Sequence, residues 1–311
     1  MNMRVAVVDL GTNTTRLLVA DIEDGTVAEL EKRTRITGLG QGVDATGRLA
    51  DDAMDRVRET LDEYREAIDR FGAGDVRAVA TSAMRDADNG PEFREELNRR
   101  FGIDARTISG EEEARLTFLG ATSGRTPAAE SPATTVVIDI GGGSTEYVVG
   151  SAGADPDFHV SAQMGSRRHT ERFLKSDPPA HEELEALAAD IRRIVQESVP
   201  EDTRDETAEG IAVAGTATTL AAIDQELDPY DPAKVHGYRV TLAAAERIQA
   251  MLAALSTDER RKVTGLHPDR APVIVAGVTI LMESIRAFGL DEIEISEADI
   301  LQGAAMAAAD R

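Results

Sequence analysis

The chain opens on an unbroken apolar run, Val5-Ala6-Val7-Val8, that stops at Asp9. A run so short, bounded by turn residues, predicts a buried strand. Gly11-Thr12-Asn13-Thr14 then supplies a turn, and Leu17-Leu18-Val19-Ala20 returns as a second strand, so the amino terminus is expected to form a hairpin. From Asp51 to Phe71 the apolar residues Met54, Val57, Leu61, Tyr64 and Ile68 recur at helical spacing. Asp75 to Ala80 is a strand, with Thr81 and Ser82 placed to cap the next segment. Pro91 to Phe101 is helical, and Ser109 opens another helix that runs to about Gly120. Ala121 to Thr135 is rich in Ser, Thr, Pro, Ala and Gly and is the expected domain boundary.

The second half begins as the first does. Thr135 to Asp139 is a strand, Ile140-Gly141-Gly142-Gly143-Ser144 a turn, and Tyr147 to Val149 a returning strand. Glu182 to Val199 is helical; Gly210 to Ala214 is a strand that runs through Gly215-Thr216 into a helix. Helices over Leu242–Leu255 and Ala271–Phe288, a short strand Glu292–Ile295 and a helix Asp299–Ala309 complete the pattern. DLGTNTTRLLV from Asp9 aligns without a gap on DIGGGSTEYVV from Asp139, and AVATSAM from Ala78 aligns on AVAGTAT from Ala212. Two matches in one order at nearly one offset predict a duplicated α/β domain. The expected domains are 1–124, with a carboxy-terminal helix at about 297–311 packing back on it, and 125–296.

Composition narrows the chemistry. There is no cysteine, so thiolate catalysis, disulfides and thiolate metal sites are excluded. The five histidines form no HExxH pair. Acidic residues outnumber basic ones 57 to 34, for a net charge of −23, which argues against general nucleic-acid binding. Only four of the basic residues are lysines, and an acid-rich, lysine-poor surface suits a cytoplasm of very high salt, where self-repulsion is screened. No apolar run is long enough to span a membrane, and the start leads into a strand rather than a signal peptide.

Four repeated turns end strands in small or hydroxylated residues: Gly11-Thr12-Asn13-Thr14, Thr81-Ser82, Gly141-Gly142-Gly143-Ser144 and Gly215-Thr216. Backbone N–H groups in such turns form anion-binding nests, and glycine admits a phosphate oxygen close to the backbone. Facing domains would converge these turns on one phosphate cleft. The chain has no P-loop, and Gly38 to Val43 lacks the third glycine of a dinucleotide fingerprint, so it is expected to be a flexible loop. Asp139 and Glu146 flank one hairpin and are either a turn cap and a solvated residue or a pair for a hard cation. Arg16 stands where the second hairpin has Glu146, and Asp9 where it has Asp139. Arg85, Arg167, Arg168, Lys234, His236, Arg239 and Arg270 are further basic candidates. Ser109 and Glu112 fit a capping box, which leaves Glu113 as either one more first-turn acid or a general base.

Together DLGTNTTRLL, TSAMRDADN, ISGEEEARLTFLG, DIGGGSTEYVVG, AVAGTATTLAAID, KVHGYRVT and HPDRAPVIVAG resemble the exopolyphosphatase / guanosine pentaphosphate phosphohydrolase family over nearly the whole chain. The resemblance implies duplicated ribonuclease-H-like domains of the actin-like superfold around a phosphate cleft. It implies Glu113 as water-activating base, with Asp139 and Glu146 binding Mg²⁺ (Mn²⁺ as a substitute). It also implies phosphate binding by the first hairpin (Asp9 to Thr14, with Arg16), Thr81, Ser82, Arg85, the triple glycine with Ser144, and Gly215-Thr216. Inorganic polyphosphate is the expected substrate, with guanosine pentaphosphate (pppGpp) the alternative and a non-catalytic phosphate or nucleotide sensor the further one, and a homodimer is compatible. This sequence departs from the family at Thr12 and Thr14, which replace serines, at Pro272, which replaces an aspartate, and at Leu301-Gln302, which replaces Arg-Glu. Longer members carry carboxy-terminal extensions without a counterpart here, so processivity on long chains is not expected to follow theirs.

Overall fold

The structure is a computed structural model that describes residues 3–23, 26–124 and 133–309. The chain folds as two compact units, Met1–Gly120 with Ile300–Arg311, and Ala121–Asp299. The stretch expected to be the boundary falls largely on residues 125–132, outside the described residues.

In the first unit β1 (Met3–Leu10), β2 (Thr14–Glu23), β3 (Thr26–Ile36), β4 (Asp75–Ala80) and β5 (Ala105–Thr107) form one sheet in the order β3-β2-β1-β4-β5. The first three strands run antiparallel, and β4 and β5 join β1 in parallel. Alternation along β1 sets the two faces. Ala6, Val8 and Leu10 pack with Leu61, Tyr64 and Ile68 of the helix Asp51–Phe71. Val5 and Val7 pack with Ile300, Leu301 and Ala305 of the helix Ile300–Ala309 and with Leu116 of the helix Gly110–Ala121. A sheet buried on both faces explains why β1 reads as an unbroken apolar run.

In the second unit β6 (Thr135–Ile140), β7 (Thr145–Gly150), β8 (Phe158–Ala162), β9 (Glu209–Val213), β10 (Arg239–Thr241) and β11 (Glu292–Ile295) follow the order β10-β11-β9-β6-β7-β8. β6, β7 and β8 are antiparallel, and β9 and β11 are parallel to β6. Read from β8 to β11, the order and directions match those of the first sheet, and β10 is an antiparallel addition at the edge. Each unit therefore holds the ribonuclease-H-like strand pattern expected of a duplication. Its core joins Val136, Ile138 and Ile140 to the helices His181–Ser198, Ala214–Asp224, Leu242–Ala253 and Ile274–Ala287. Among the described residues no helix is long and apolar enough to cross a membrane.

Candidate functional site

In the first unit β1 and β4 are parallel neighbours, so the turns that follow them lie side by side at the carboxyl edge of the sheet, where open α/β sheets bind ligands. Gly11 N–H donates to Thr14 O at 2.9 Å and closes the first turn. A Cβ on Gly11 would stand 2.9 Å from that carbonyl oxygen, so the close approach requires glycine. Thr12 Oγ1 lies 2.7 Å from Ser82 Oγ and accepts from Ala83 N–H at 3.2 Å, which ties the two turns together through their hydroxyls. Thr81, expected to cap the next segment, forms no side-chain cap, and the helix it precedes, Ser82–Asp86, is barely one turn long and carries little dipole. The glycine run expected to be a flexible loop is instead pinned to the hairpin. Thr37 and Gly38 N–H groups donate to Asn13 O, Gly40 N–H donates to Thr12 O, and Leu39 is buried.

Asp9 and Arg16 face each other directly across β1 and β2 and form an ion pair of 2.7 Å with little exposure. Arg85 Nη1 donates to Ile108 O at 3.0 Å and stands 3.3 Å from Glu113 Oε2. Ser109 Oγ accepts from Glu112 N–H at 3.1 Å, as a cap should, but the Glu112 carboxylate pairs with Arg106 and leaves the capping box open. Glu113, buried in the first turn of that helix, is directed to Arg85.

The second unit repeats the hairpin. Gly141 N–H donates to Ser144 O at 3.0 Å, the bond that Gly11 makes to Thr14. Asp139 faces Glu146 directly across β6 and β7, both are buried, and Ser161 on β8 donates to Glu146 Oε1 at 2.7 Å. The loop carbonyls turn toward the start of the helix Ser166–Phe173. Ser166 N–H donates to Gly141 O at 2.9 Å, and Arg167 and Arg168 N–H groups donate to Gly142 O at 2.9 and 3.0 Å. Arg168 Nε donates to Gly143 O at 2.7 Å. The N–H groups of Gly142, Gly143 and Ser144 have no protein acceptor among the described residues. Carbonyls drawn to one side with consecutive N–H groups left over is the arrangement of an anion nest.

After β9 the chain turns sharply. Ala214 takes φ 63°, a left-handed conformation that costs a residue with a Cβ about 1–2 kcal/mol. Gly215 and Thr216 follow in the first turn of Ala214–Asp224, whose amino end suits an anion. A Cβ on Gly215 would overlap the Arg270 guanidinium, so this arginine is packed directly against the turn. A Cβ on Gly277 would come within 2.7 Å of Thr216 Oγ1 and 3.3 Å of Ser166 Cβ, so one glycine backs both loops.

Residues 18–308 match the Ppx/GppA phosphatase family. The chain belongs to that family. It is 39% identical to exopolyphosphatase 2 of Mycobacterium tuberculosis, with 98% of each protein covered. A crystal structure of an exopolyphosphatase-like protein superposes with a TM-score of 0.91 at 33% identity, covering 99% of this chain and 98% of that one. The Aquifex aeolicus Ppx/GppA family member superposes at 0.82 with 32% identity, again over 99% and 98% of the two chains.

Within this Ppx/GppA chain the predicted residues fall into two sets. Asp9, the Gly11–Thr14 turn, Arg16, Thr81, Ser82, Arg85 and Glu113 belong to the first unit. Asp139, Gly141 to Ser144, Glu146, Gly215 and Thr216 belong to the second. Among the described residues no group of three His, Asp or Glu side chains forms a metal cage. The Asp139–Glu146 pair nevertheless fits a hard divalent cation. Both side chains offer hard oxygen donors, and Mg²⁺ is commonly held by one or two carboxylates, its shell completed by water and phosphate oxygens. Lys234 and Arg239 pair with Asp231 and Glu292 as surface charges. Arg270, only a general basic candidate in sequence, is set directly on the Gly215 turn. Gly165, Ser166 and Ser161 carried no sequence signal, because they reach the site from later elements.

Proposed function

We propose that the chain is an exopolyphosphatase that hydrolyses the terminal phosphoanhydride bond of inorganic polyphosphate and releases orthophosphate. The observation that carries this is the full-length identity of 39% to a protein named exopolyphosphatase 2. The twin hairpins and their nests supply the matching chemistry. Phosphoryl transfer relies on placement and charge stabilisation more than on covalent help. The N–H groups of Gly142, Gly143 and Ser144, the Thr12–Ser82 hydroxyl pair and the Gly215-Thr216 turn hold phosphate oxygens. Asp139 and Glu146 hold Mg²⁺, or Mn²⁺ in its place, and Ser161 fixes the Glu146 carboxylate. Mg²⁺, when bound, offsets the charge on phosphate oxygens. Glu113, oriented by Arg85, takes the proton of the attacking water. The water oxygen bonds to the terminal phosphorus as the bridging P–O bond breaks toward the remaining chain. Each compact unit is a domain of the duplicated fold, and the acid-rich surface suits a salt-rich cytoplasm.

The test is orthophosphate release by the purified chain in molar KCl with Mg²⁺, from polyphosphates of several lengths, from pppGpp and from ATP. Polyphosphate should be the best substrate. Preference for pppGpp would replace polyphosphate with the alarmone, and turnover of ATP alone would overturn the proposal.

A further inference from the structure

His169 takes no part in the chemistry above, yet it is built into the support of the triple-glycine loop. It lies on the helix Ser166–Phe173 with no exposed surface, against the Phe173 ring at 5.6 Å. Its Nδ1 is 3.4 Å from the N–H of Gly165, and its Nε2 is 3.3 Å from Asp190 Oδ2 on the helix His181–Ser198. An acceptor at Nδ1 requires the tautomer that carries its proton on Nε2, which lies near Asp190 without completing a hydrogen bond to it. Asp190 is itself held by Arg193 at 2.6 Å. Gly165 transmits this arrangement to the loop. It lies so close to the Gly142-Gly143 peptide that a Cβ would overlap it, and the three residues after it fasten the carbonyls of Gly141 and Gly142.

We propose that His169 is a positioning residue: as a neutral acceptor for Gly165 N–H it seats Gly165 against Gly142-Gly143, and so aims the N–H groups of Gly142, Gly143 and Ser144 at phosphate. The inference rests on the phosphate-loop assignment made for the proposed function. It also makes the loop acid-sensitive, because an imidazolium has no lone pair for Gly165 and repels its N–H. Arg168 and Arg172 on the same helix oppose protonation, and Asp190 on the neighbouring helix favours it. Burial dominates and pushes the imidazole down to about 4, so the seat holds at neutral pH and is lost only as acid approaches that value.

Three proteins test this: wild type, His169→Leu and His169→Asn, whose side-chain oxygen falls near the place of Nδ1. With tripolyphosphate and Mg²⁺ at neutral pH, the leucine variant should raise KM about tenfold with kcat within about twofold, the size of one lost hydrogen bond. The asparagine variant should recover most of that loss. In wild type, ¹⁵N spectra of labelled histidine should show Nδ1 unprotonated and Nε2 protonated. A folded leucine variant with wild-type KM, or the opposite tautomer in wild type, overturns the proposal. If the leucine variant does not fold, the tautomer and the asparagine variant decide. If wild type turns over no polyphosphate, the functional proposal fails by itself, and affinity for inorganic phosphate, measured by calorimetry on the same proteins, decides His169.

Discussion

The two hairpins share a topology and a closing hydrogen bond, yet they differ in charge at one matched position. In the first, Asp9 meets Arg16 and the charges cancel within the protein. In the second, Asp139 meets Glu146, and two buried carboxylates stand opposite each other. The same backbone thus sets opposite charges face to face in one unit and two carboxylates face to face in the other.

The largest expected effect lies outside both pairs. Glu113→Gln should lower kcat by about 10²-fold or more while KM and the circular dichroism spectrum stay near wild type. An unchanged kcat would remove Glu113 from the chemistry. The next effect contrasts the hairpins directly. Arg16→Met removes the cationic half of a buried ion pair and should cost about 3–5 kcal/mol in urea unfolding. Glu146→Gln at the matched position, measured without divalent metal, should cost clearly less, because it removes one of two facing like charges and keeps an oxygen that can accept from Ser161. Equal destabilisation by both variants would break the comparison.

A smaller effect concerns pH. The folded His169 has its pKa lowered from 6.5 to about 4, so the folded state binds this proton less readily than the unfolded chain. Its contribution is fully present above 6.5 and is lost as pH falls through the folded value. Wild type should therefore lose on the order of 2–3 kcal/mol across that window from this group, a loss absent in His169→Leu. Parallel stability curves for the two proteins would show that His169 carries no such linkage.

Much of this was legible in the sequence where the signal is local. The hairpins could be paired because a short turn fixes which residues oppose each other, and the β1 and β6 runs are apolar because both faces are covered. Other strands were hidden. β3, Thr-Val-Ala-Glu-Leu-Glu-Lys-Arg-Thr-Arg-Ile, is a half-exposed edge strand rich in charge, and its strand character comes from the open edge of β2 rather than from its own pattern. β8 and β10 are short edge strands for the same reason. The helix Ser166–Phe173 is mostly polar, with only Ser166 and His169 buried, too few to mark an apolar face. Within the site, the hydroxyl bond between Thr12 and Ser82, the contact of Arg270 with Gly215 and the seating of Gly165 all join residues far apart in the chain. Local patterning says nothing about such contacts.

The sharpest test of the central claim, that the second hairpin seats the cation used to cleave polyphosphate, is a Mg²⁺ titration of orthophosphate release from polyphosphate by wild type beside Glu146→Gln. Wild type should be silent in chelator and rise to saturation with Mg²⁺, and the variant should need far more metal and reach a much lower plateau. Wild-type turnover undiminished in chelator, or superimposable curves for the two proteins, would contradict it.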